Sequence, residues 1–458
     1  MSAGAADPVS ERAARRLTEL FVSPRCGLIT RVEAQARGPE EPTPPWLSTA
    51  DLAHFDFRNA PRAERLNAGK GSTEAQSRLS AMGEALERYS AYHWDPSRVR
   101  VGPPSDTAIL PSDCVLHSPV QYAEGHLPYR VWSPETPTSW IEGEELPSGD
   151  PVDVPAGLVY LSWPLPRAED HVAAVTSNGL AAGADLEHAT LGALHELIER
   201  DALMITWLNR LPATRIVAPE HGCHAAAIIR HYRRHGVSVR LYRVATDQAA
   251  TVVLAVAVNP DGIEPVHVVG MGCAERPLAA VDKAVFELCQ ARPSEAVRFR
   301  EQNPGERLRR HEDVIELEDH PLFHGLAAHR REFDFLDDDS EPVTLDDIEP
   351  DAANAGQATP PGDAADELSA RRAELERLVA GLTASGCRVA RVDITAQDIR
   401  PSGVRVVRCF ATGLQPIHFG HGQARLGGRR LFEAPRRWGL RERDTDEASL
   451  NPCPHPLA

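Results

Sequence analysis

The order of helical and strand patterns along the 458-residue chain predicts an α+β protein in which mixed β-sheets pack against helices. Helical periodicity is strong over Thr73–Trp94 and again over Asp185–Leu208, whereas Thr251–Val258 is an almost continuous apolar run typical of a buried strand. Because strands and long helices follow one another without regular alternation, a strictly doubly wound sheet is not expected.

Local patterns predict the remaining elements, beginning with an amphipathic helix at Ser10–Leu20 and a first strand within Phe21–Ala34. Residues 103–166 are rich in Pro, Ser and Gly and indicate short strands and loops. Residues 334–367 are dominated by Asp, Pro, Ala and Gly, which predicts a mobile acidic loop. Further strands are expected at Val237–Val244, Val266–Gly272, Val389–Ile394 and Val404–Phe410, and further helices at Pro277–Arg292 and Leu368–Thr383.

The overall composition argues against several classes of protein. A net charge of −17 disfavours general nucleic-acid binding, which depends on clustered Lys and Arg. No apolar run of about 20 residues could span a bilayer, and Met1–Arg16 does not resemble a signal peptide, so a cytoplasmic protein is expected. The eight cysteines lie singly, without CxxC pairs, which predicts reduced and mostly structural thiols.

Two of the predicted helices carry the same E-x-x-E-R pattern, at Glu84–Arg88 and at Glu196–Arg200. At 100° per residue, the two glutamates and the arginine of each pattern share the side opposite the apolar residues. A third predicted helix repeats the spacing of the two acidic positions with Glu287 and Gln290. Each pattern alone is also typical of a solvent-exposed helix surface, where such pairs support one another.

The three acidic patterns together suggest a metal site. If the polar faces converge, up to five carboxylates crowd one cavity, and cations are needed to hold them there. Mg²⁺ fits this ligand chemistry and also binds nucleotide phosphates. Arg88, Arg200 and Arg292 are then expected to meet phosphate oxygens that the metal leaves uncovered.

Three glycine-containing segments give weaker signals. Lys70 lies between Gly69 and Gly71 just before the first acidic helix, so it fits either a turn or a phosphate contact. Residues 177–179 (Ser-Asn-Gly), before the second acidic helix, are similarly a turn or a cluster of donors. Residues 270–272 (Gly-Met-Gly) lack the third glycine of a dinucleotide fingerprint, so a Rossmann domain is rejected.

These segments resemble the YcaO family, in particular its SagD-like (D-protein) azoline-forming cyclodehydratases. The resemblance is carried by Gly69-Lys70-Gly71 with S-x-x-x-E-x-x-E-R at 80–88, Ser177–Gly183 with E-x-x-E-R-D-A at 196–202, E-x-x-Q-x-R at 287–292, and a tail in which proline alternates with other residues. It covers most of the chain from about Phe21 onward. The expected organisation is an N-terminal helical extension over 1–20, a YcaO catalytic domain over 21–440 with a central ATP/Mg²⁺ cavity, and a PxPxP tail over 441–458.

The resemblance implies ATP and Mg²⁺ as cofactors and assigns residues to them. The expected ATP-binding residues are Lys70, Ser80, Glu84, Arg88, Arg200, Gln290 and Arg292, and the expected Mg²⁺ ligands are Glu84, Glu87, Glu187, Glu196, Glu199 and Glu287. Ala184, His188 and Gly192 stand where the family commonly has Asn, Glu and Gln. Glu187 or His188 is therefore expected to supply a ligand that is missing from the pattern.

The C-terminal tail is expected to take part in catalysis through Pro452, Pro454, Pro456 and Ala458. Prolines favour an extended segment with little conformational entropy, which suits a chain end that reaches the active site.

The resemblance implies ATP-dependent conversion of Cys, Ser or Thr in a ribosomally made precursor peptide to thiazoline or oxazoline rings. Expected partners are the precursor peptide, a leader-peptide-binding protein of the E1-like or ocin-ThiF-like kind, optionally a flavin-dependent azoline dehydrogenase, and a second copy in a homodimer. Another YcaO reaction, giving a thioamide or an amidine, and a non-catalytic docking scaffold are the alternatives.

Overall fold

Three antiparallel sheets organise the computed structural model, which describes residues 7–55, 65–161, 168–338, 340–348 and 364–457. The first has the order β1-β2-β3, the second β11-β10-β9-β8, and the third β4-β5-β12-β13-β7 with β6 paired to β5. Their strands are β1 (Ile29–Ala34), β2 (Trp46–Leu52), β3 (Leu66–Gly71), β4 (Val99–Gly102), β5 (Thr138–Leu146), β6 (Pro151–Pro155), β7 (Leu180–Gly183), β8 (Thr214–Ile216), β9 (Ser238–Val244), β10 (Thr251–Val258), β11 (His267–Ala274), β12 (Val389–Asp393) and β13 (Arg405–Ala411).

Each sheet is covered by one long helix: α2 packs on β2 and β3, α4 on β7 and β13, and α6 on β10 and β11. Within the described ranges, none of the helices is long and apolar enough to cross a membrane. The helices are α1 (Pro8–Phe21), α2 (Glu74–Tyr92), α3 (Pro119–Ala123), α4 (Leu186–Leu208), α5 (His224–Arg234), α6 (Pro277–Gln302), α7 (Asp319–Gly325), α8 (Leu345–Ile348), α9 (Ala364–Ala384) and α10 (Arg430–Arg437). The predicted α+β class with helices packed on sheets is confirmed, but the named strands pair antiparallel, so the sheets are not the mixed sheets that were predicted.

Glycines bring two of the acidic helices close to their strands. A Cβ atom at Gly69 would lie 2.1 Å from the backbone nitrogen of Ala81 in α2, and one at Gly272 would lie 2.2 Å from the carbonyl oxygen of Ala280 in α6. The Gly69–Gly71 segment is therefore strand β3 and not the turn that its composition allowed, because the strand needs residues without side chains to contact α2.

Several predicted boundaries need correction. Helix α1 continues to Phe21, so the first strand begins only at Ile29. Helix α6 does not stop at Arg292 but continues through Pro293 to Gln302, where Asn303 in the left-handed conformation ends it. These extra residues of α6 prove important for the site.

The start of the predicted acidic loop belongs to the packed domain. Leu336 is fully buried, and the carboxylate of Asp337 forms ion pairs of 3.0 Å with Arg215 and 3.1 Å with Arg240. The short helix α8 also lies inside the predicted loop. Residue 339 and residues 349–363 lie outside the described residues.

Candidate functional site

The polar faces of α2, α4 and α6 meet at one open cavity with an empty volume of about 2770 Å³. Each helix is positioned by the sheet on which it packs, and acidic residues of all three helices line this common space. Of the residues predicted for the site, those that line the cavity are Lys70, Ser80, Glu84, Glu87, Arg88, Glu196, Arg200, Glu287, Gln290 and Pro456.

On α2, the Arg88 guanidinium lies between the two glutamates of its pattern. Its Nη1 is 3.2 Å from Oε1 of Glu87, and its Nη2 is 3.4 Å from Oε1 of Glu84. The other carboxylate oxygen of Glu84 accepts a 2.9 Å hydrogen bond from the backbone N–H of Ala68 in β3. Strand and helix thus fix the Glu84 carboxylate from two directions.

On α4, Arg200 has the same relation to its own pair of glutamates. Its Nη1 is 3.0 Å from Oε1 of Glu199, and its Nε is 4.0 Å from Oε1 of Glu196. The backbone N–H of Gly179 donates a 3.2 Å hydrogen bond to Oε2 of Glu196. Gly179 has a φ of +85°, so the Ser-Asn-Gly segment is both a glycine-dependent bend and a donor, as its sequence allowed.

On α6, Glu287 pairs with Lys70 from β3, whose Nζ lies 2.9 Å from Oε2 of the carboxylate. Burial opposes ionisation of Glu287, but Lys70 and Arg200 outweigh burial and lower the pKa of this carboxyl. Lys70 therefore connects β3, the strand on which α2 packs, to the third acidic helix.

The carboxyl groups of Glu87 and Glu199 resist ionisation. Burial, with the neighbouring charges of Glu84 and Glu196, raises the pKa of Glu87 to about 7. Burial, with the charges of Glu287 and Glu196, also raises the pKa of Glu199 to about 7, even though Arg200 acts in the opposite direction. At Glu87 and at Glu199, burial and the neighbouring carboxylates thus outweigh the adjacent arginine.

The raised pKa values of Glu87 and Glu199 fit a site for a divalent cation. Hard carboxylate oxygens at one cavity are the ligands that Mg²⁺ prefers, and a cation placed among them would restore the ionised forms of Glu87 and Glu199. Lys70, Arg88 and Arg200 supply positive groups next to that position.

The C-terminal tail reaches the same cavity, where Pro456 and Leu457 form part of the lining. The carbonyl oxygen of Pro454 accepts a 2.7 Å hydrogen bond from Nε2 of His324, so this proline anchors the tail to α7. Pro452 is exposed outside the cavity. Ala458 lies outside the described residues.

Residues 68–415 match the family model for YcaO, described as a cyclodehydratase that binds ATP and Mg²⁺. The chain belongs to the YcaO family. This membership gives ATP and Mg²⁺ as the cofactors, in agreement with the acidic cavity.

An uncharacterised relative and two solved structures are similar over large parts of the chain. An uncharacterised protein of Methanothermobacter thermautotrophicus is 28% identical over 369 residues, 77% of this chain and 82% of its own length. A heterocyclase solved in complex with substrate and cofactor has a TM-score of 0.78 at 23% identity; the match covers 98% of this chain and 57% of that one. YcaO from Methanopyrus kandleri, bound with AMPPCP and Mg²⁺, has a TM-score of 0.64 at 22% identity, over 91% and 94% of the two chains.

Glu187 and Arg292, both predicted for the YcaO site, do not line the cavity. Glu187 precedes Glu196 by nine residues, which is half a turn out of phase at 100° per residue, and its carboxylate pairs with Arg372 at 3.2 Å. Arg292 follows Glu287 by five residues, about 140° around α6, and its Nε lies 3.2 Å from Oε1 of Glu41. His188, the other possible substitute ligand, does line the cavity, next to Ala184.

Glu199 is held at the edge of the YcaO cavity. It is buried and does not itself line the space, but its ion pair with Arg200 and its interaction with Glu287 connect it to the cluster.

Sequence reasoning missed several residues at the site. Arg12 and Arg16 of α1 line the cavity, so the N-terminal helix contributes to it. Glu295 and Arg298 line it from the part of α6 beyond Pro293. Residues seven and eleven positions after Glu287 share nearly the same side of the helix. A longer predicted helix would therefore have placed Ser294 and Arg298 beside Glu287.

Proposed function

We propose that the chain is a YcaO cyclodehydratase, which uses ATP to convert Cys, Ser or Thr of a ribosomally made precursor peptide to azoline rings. The observation that carries the proposal is the meeting of three acidic helices and the C-terminal tail at one cavity. This reaction would need a nucleotide site next to a group that positions the peptide substrate, and the C-terminal tail could be that group.

The reaction makes particular demands on the site. A peptide side chain adds to the preceding amide carbonyl, the oxyanion attacks ATP, and phosphate leaves as the ring closes. These steps require positioning of the amide oxygen against a phosphoryl group and neutralisation of phosphate charge, and they require no nucleophile from the protein. A peptide with several Cys, Ser or Thr residues would yield a product of the bacteriocin type.

The chain's own residues can meet these demands. We assign Glu84, Glu87, Glu196, Glu199 and Glu287 to hold Mg²⁺, which when bound neutralises and orients the phosphates. Lys70, Ser80, Arg88, Arg200 and Gln290 are assigned to the nucleotide. With Mg²⁺ bound at the carboxylates, Arg88 and Arg200 would be able to turn from Glu87 and Glu199 to phosphate oxygens.

The tail is assigned to the peptide side of the site. Pro454 is fixed through its carbonyl oxygen, and Pro456 then enters the cavity with little freedom left in its backbone. We propose that Pro456 bounds the space for the reacting amide, with Pro452 and Pro454 holding the tail in its extended course. A catalytic role of Ala458 stays part of the proposal, and this residue lies outside the described residues.

Mass spectrometry of the precursor peptide tests the proposal. The wild-type protein, with its precursor, ATP and Mg²⁺, is expected to remove one water for each ring formed. Glu87→Gln and Glu199→Gln should abolish the loss of water, as should a few residues appended after Ala458. Glu74→Gln, at an exposed position of the same helix α2, is the matched control and should keep full activity. Full activity of the Glu87 and Glu199 variants would refute the assignment.

Glu187→Gln is a second control, on α4 itself. Its carboxylate points to Arg372 and away from the cavity, so the variant should retain ring formation. If activity is lost with this variant alone, the ligand set is wrong.

The same experiment separates the alternatives. Exchange of oxygen for sulfur in the peptide would indicate thioamide formation, and loss of water without a Cys, Ser or Thr in the ring would indicate an amidine. A non-catalytic docking scaffold is favoured by one observation, that Ala184 and His188 line the cavity where the family commonly has Asn and Glu. The docking-scaffold alternative predicts that the chain does not bind ATP with Mg²⁺.

The proposed partners follow from the reaction. They are the precursor peptide, a leader-peptide-binding protein of the E1-like or ocin-ThiF-like kind, a flavin-dependent azoline dehydrogenase where azoles are the product, and a second copy of the chain. A cytoplasmic location is part of the same proposal, because the reaction consumes ATP.

A further inference from the structure

A second group of ligating side chains surrounds the tail where it leaves the protein surface. His311, Glu332 and Cys453 each offer one ligand atom, and these atoms lie within 4.8 Å of one another. Nε2 of His311 is 3.6 Å from Oε1 of Glu332. The three residues come from two 3₁₀ segments, His311–Asp313 and Ala327–Leu336, and from the tail, so only the fold brings them together.

The chemistry of this group differs from that of the acidic cavity. One imidazole nitrogen, one carboxylate oxygen and one thiol sulfur form a ligand set that suits Zn²⁺ and other thiophilic divalent ions, and Mg²⁺ does not bind thiolates well. The Cys453 residue is 2% exposed, whereas the His311 and Glu332 side chains are 29% and 24% exposed. An ion can therefore enter from solvent past the two outer ligands and reach the buried sulfur.

We propose that His311, Glu332 and Cys453 bind one thiophilic divalent metal ion of the Zn²⁺ class, with water as the fourth ligand. Three protein ligands and a water complete a tetrahedral site, at metal–ligand distances of about 2.0–2.3 Å. Binding breaks the S–H bond of Cys453 and forms an S–metal bond, and the proton leaves to solvent. Ligand atoms now within 4.8 Å need to close by about 1 Å.

Because Cys453 belongs to the C-terminal tail, a metal ion bound there would also restrain the tail. The carbonyl oxygen of Cys453 accepts a 2.9 Å hydrogen bond from Nε1 of Trp207, and that of His455 accepts a 2.8 Å hydrogen bond from Nδ1 of His320. A metal at Cys453 adds a bond between side chains to these backbone anchors. It would secure the tail three residues before Pro456 enters the cavity.

Titration of the full-length reduced protein with Co²⁺, in the presence of excess Mg²⁺, tests the proposal. Co²⁺ replaces Zn²⁺ in such sites and gives a sulfur-to-metal charge-transfer band when a thiolate is a ligand. One equivalent of Co²⁺ should produce this band, and Zn²⁺ should displace it. Cys453→Ser should remove the band, and His311→Gln and Glu332→Gln should each weaken Zn²⁺ binding by at least about 10-fold.

Two matched variants serve as controls. Cys26→Ser removes an exposed thiol elsewhere and should leave the band unchanged. Glu87→Gln disables the acidic cavity and should also leave it unchanged, so the metal proposal stands or falls separately from the proposed function. Should Cys453→Ser fail to fold by circular dichroism, the two variants at partly exposed positions decide the result. A band that persists in Cys453→Ser, Zn²⁺ affinity unchanged in His311→Gln and Glu332→Gln, or no band in the wild type would overturn the proposal.

Discussion

Replacing Glu87 by Gln should make the ligand-free protein more stable while removing its response to nucleotide. Burial raises the pKa of the Glu87 carboxyl from 4.5 to about 7, so the folded state holds this proton more tightly than the unfolded state. The contribution of Glu87 to the free energy of unfolding is therefore fully present below pH 4.5, decreases as the pH rises, and is lost above about pH 7.

The expected magnitude comes from that difference. At about 1.4 kcal/mol for each pKa unit, the rise in pKa corresponds to about 3 kcal/mol, and the Gln side chain does not ionise. Allowing for a hydrogen bond lost between Glu87 and Arg88, we expect the variant to be about 1–2 kcal/mol more stable than the wild type at about pH 8 and similar to it or less stable at about pH 5.

Urea unfolding at several pH values, with a chelator present, measures this difference. The experiment is then repeated with Mg²⁺ and a non-hydrolysable ATP analogue, where the wild type should gain about 2.7 kcal/mol at a ligand concentration of 100 times Kd. The Glu87→Gln variant should gain little, and Glu74→Gln should behave as the wild type. A variant that is less stable than the wild type at about pH 8 without ligand, or that gains as much from the ligand, would refute this reasoning.

The other predictions concern burial, packing and the tail. Burial raises the pKa of Glu295 to about 8, so Glu295→Gln should flatten the loss of stability between pH 4.5 and about 8 in the same unfolding experiment; an unchanged pH dependence would count against it. Gly272→Ala should lower the free energy of unfolding by at least about 1–3 kcal/mol because its Cβ would overlap α6, whereas Gly83→Ala, with no atom within 4 Å, should raise it by up to about 1 kcal/mol. The packing explanation fails if the two substitutions have equal effects. Leu457→Asp should impair ring formation more than nucleotide binding, because it changes the tail end of the cavity; equal losses of both would contradict the separate roles.

The acidic helices could be predicted because the pattern that defines each of them lies within a few consecutive residues. A 3.6-residue period fixes which residues share a face, so the triads of Glu84, Glu87, Arg88 and of Glu196, Glu199, Arg200 needed no knowledge of the fold. That the faces meet depends on three sheets that orient the helices, and on glycines such as Gly69 and Gly272 that admit helices close to strands. These glycines carried no recognisable signal beyond their unusual density in two short strands.

The errors at the site have two physical origins. Glu187, expected from the family pattern, and Arg292, expected already from the acidic patterns, both lie out of phase with the acidic faces of their helices, and the helical period argues against them. The contribution of Glu295 was hidden because the predicted helix ended before Pro293, and α6 tolerates this proline within its length. Contacts across distant segments, such as that of Cys453 with Glu332, have no local signature at all.

Calorimetric titration of the full-length protein with a non-hydrolysable ATP analogue tests the central claim most directly. The account predicts binding that requires Mg²⁺, is weakened at least about 100-fold in Glu87→Gln and Glu199→Gln, and is unchanged in Glu187→Gln. Binding that does not need Mg²⁺, or that is equally strong in the Glu87 and Glu199 variants, would contradict it.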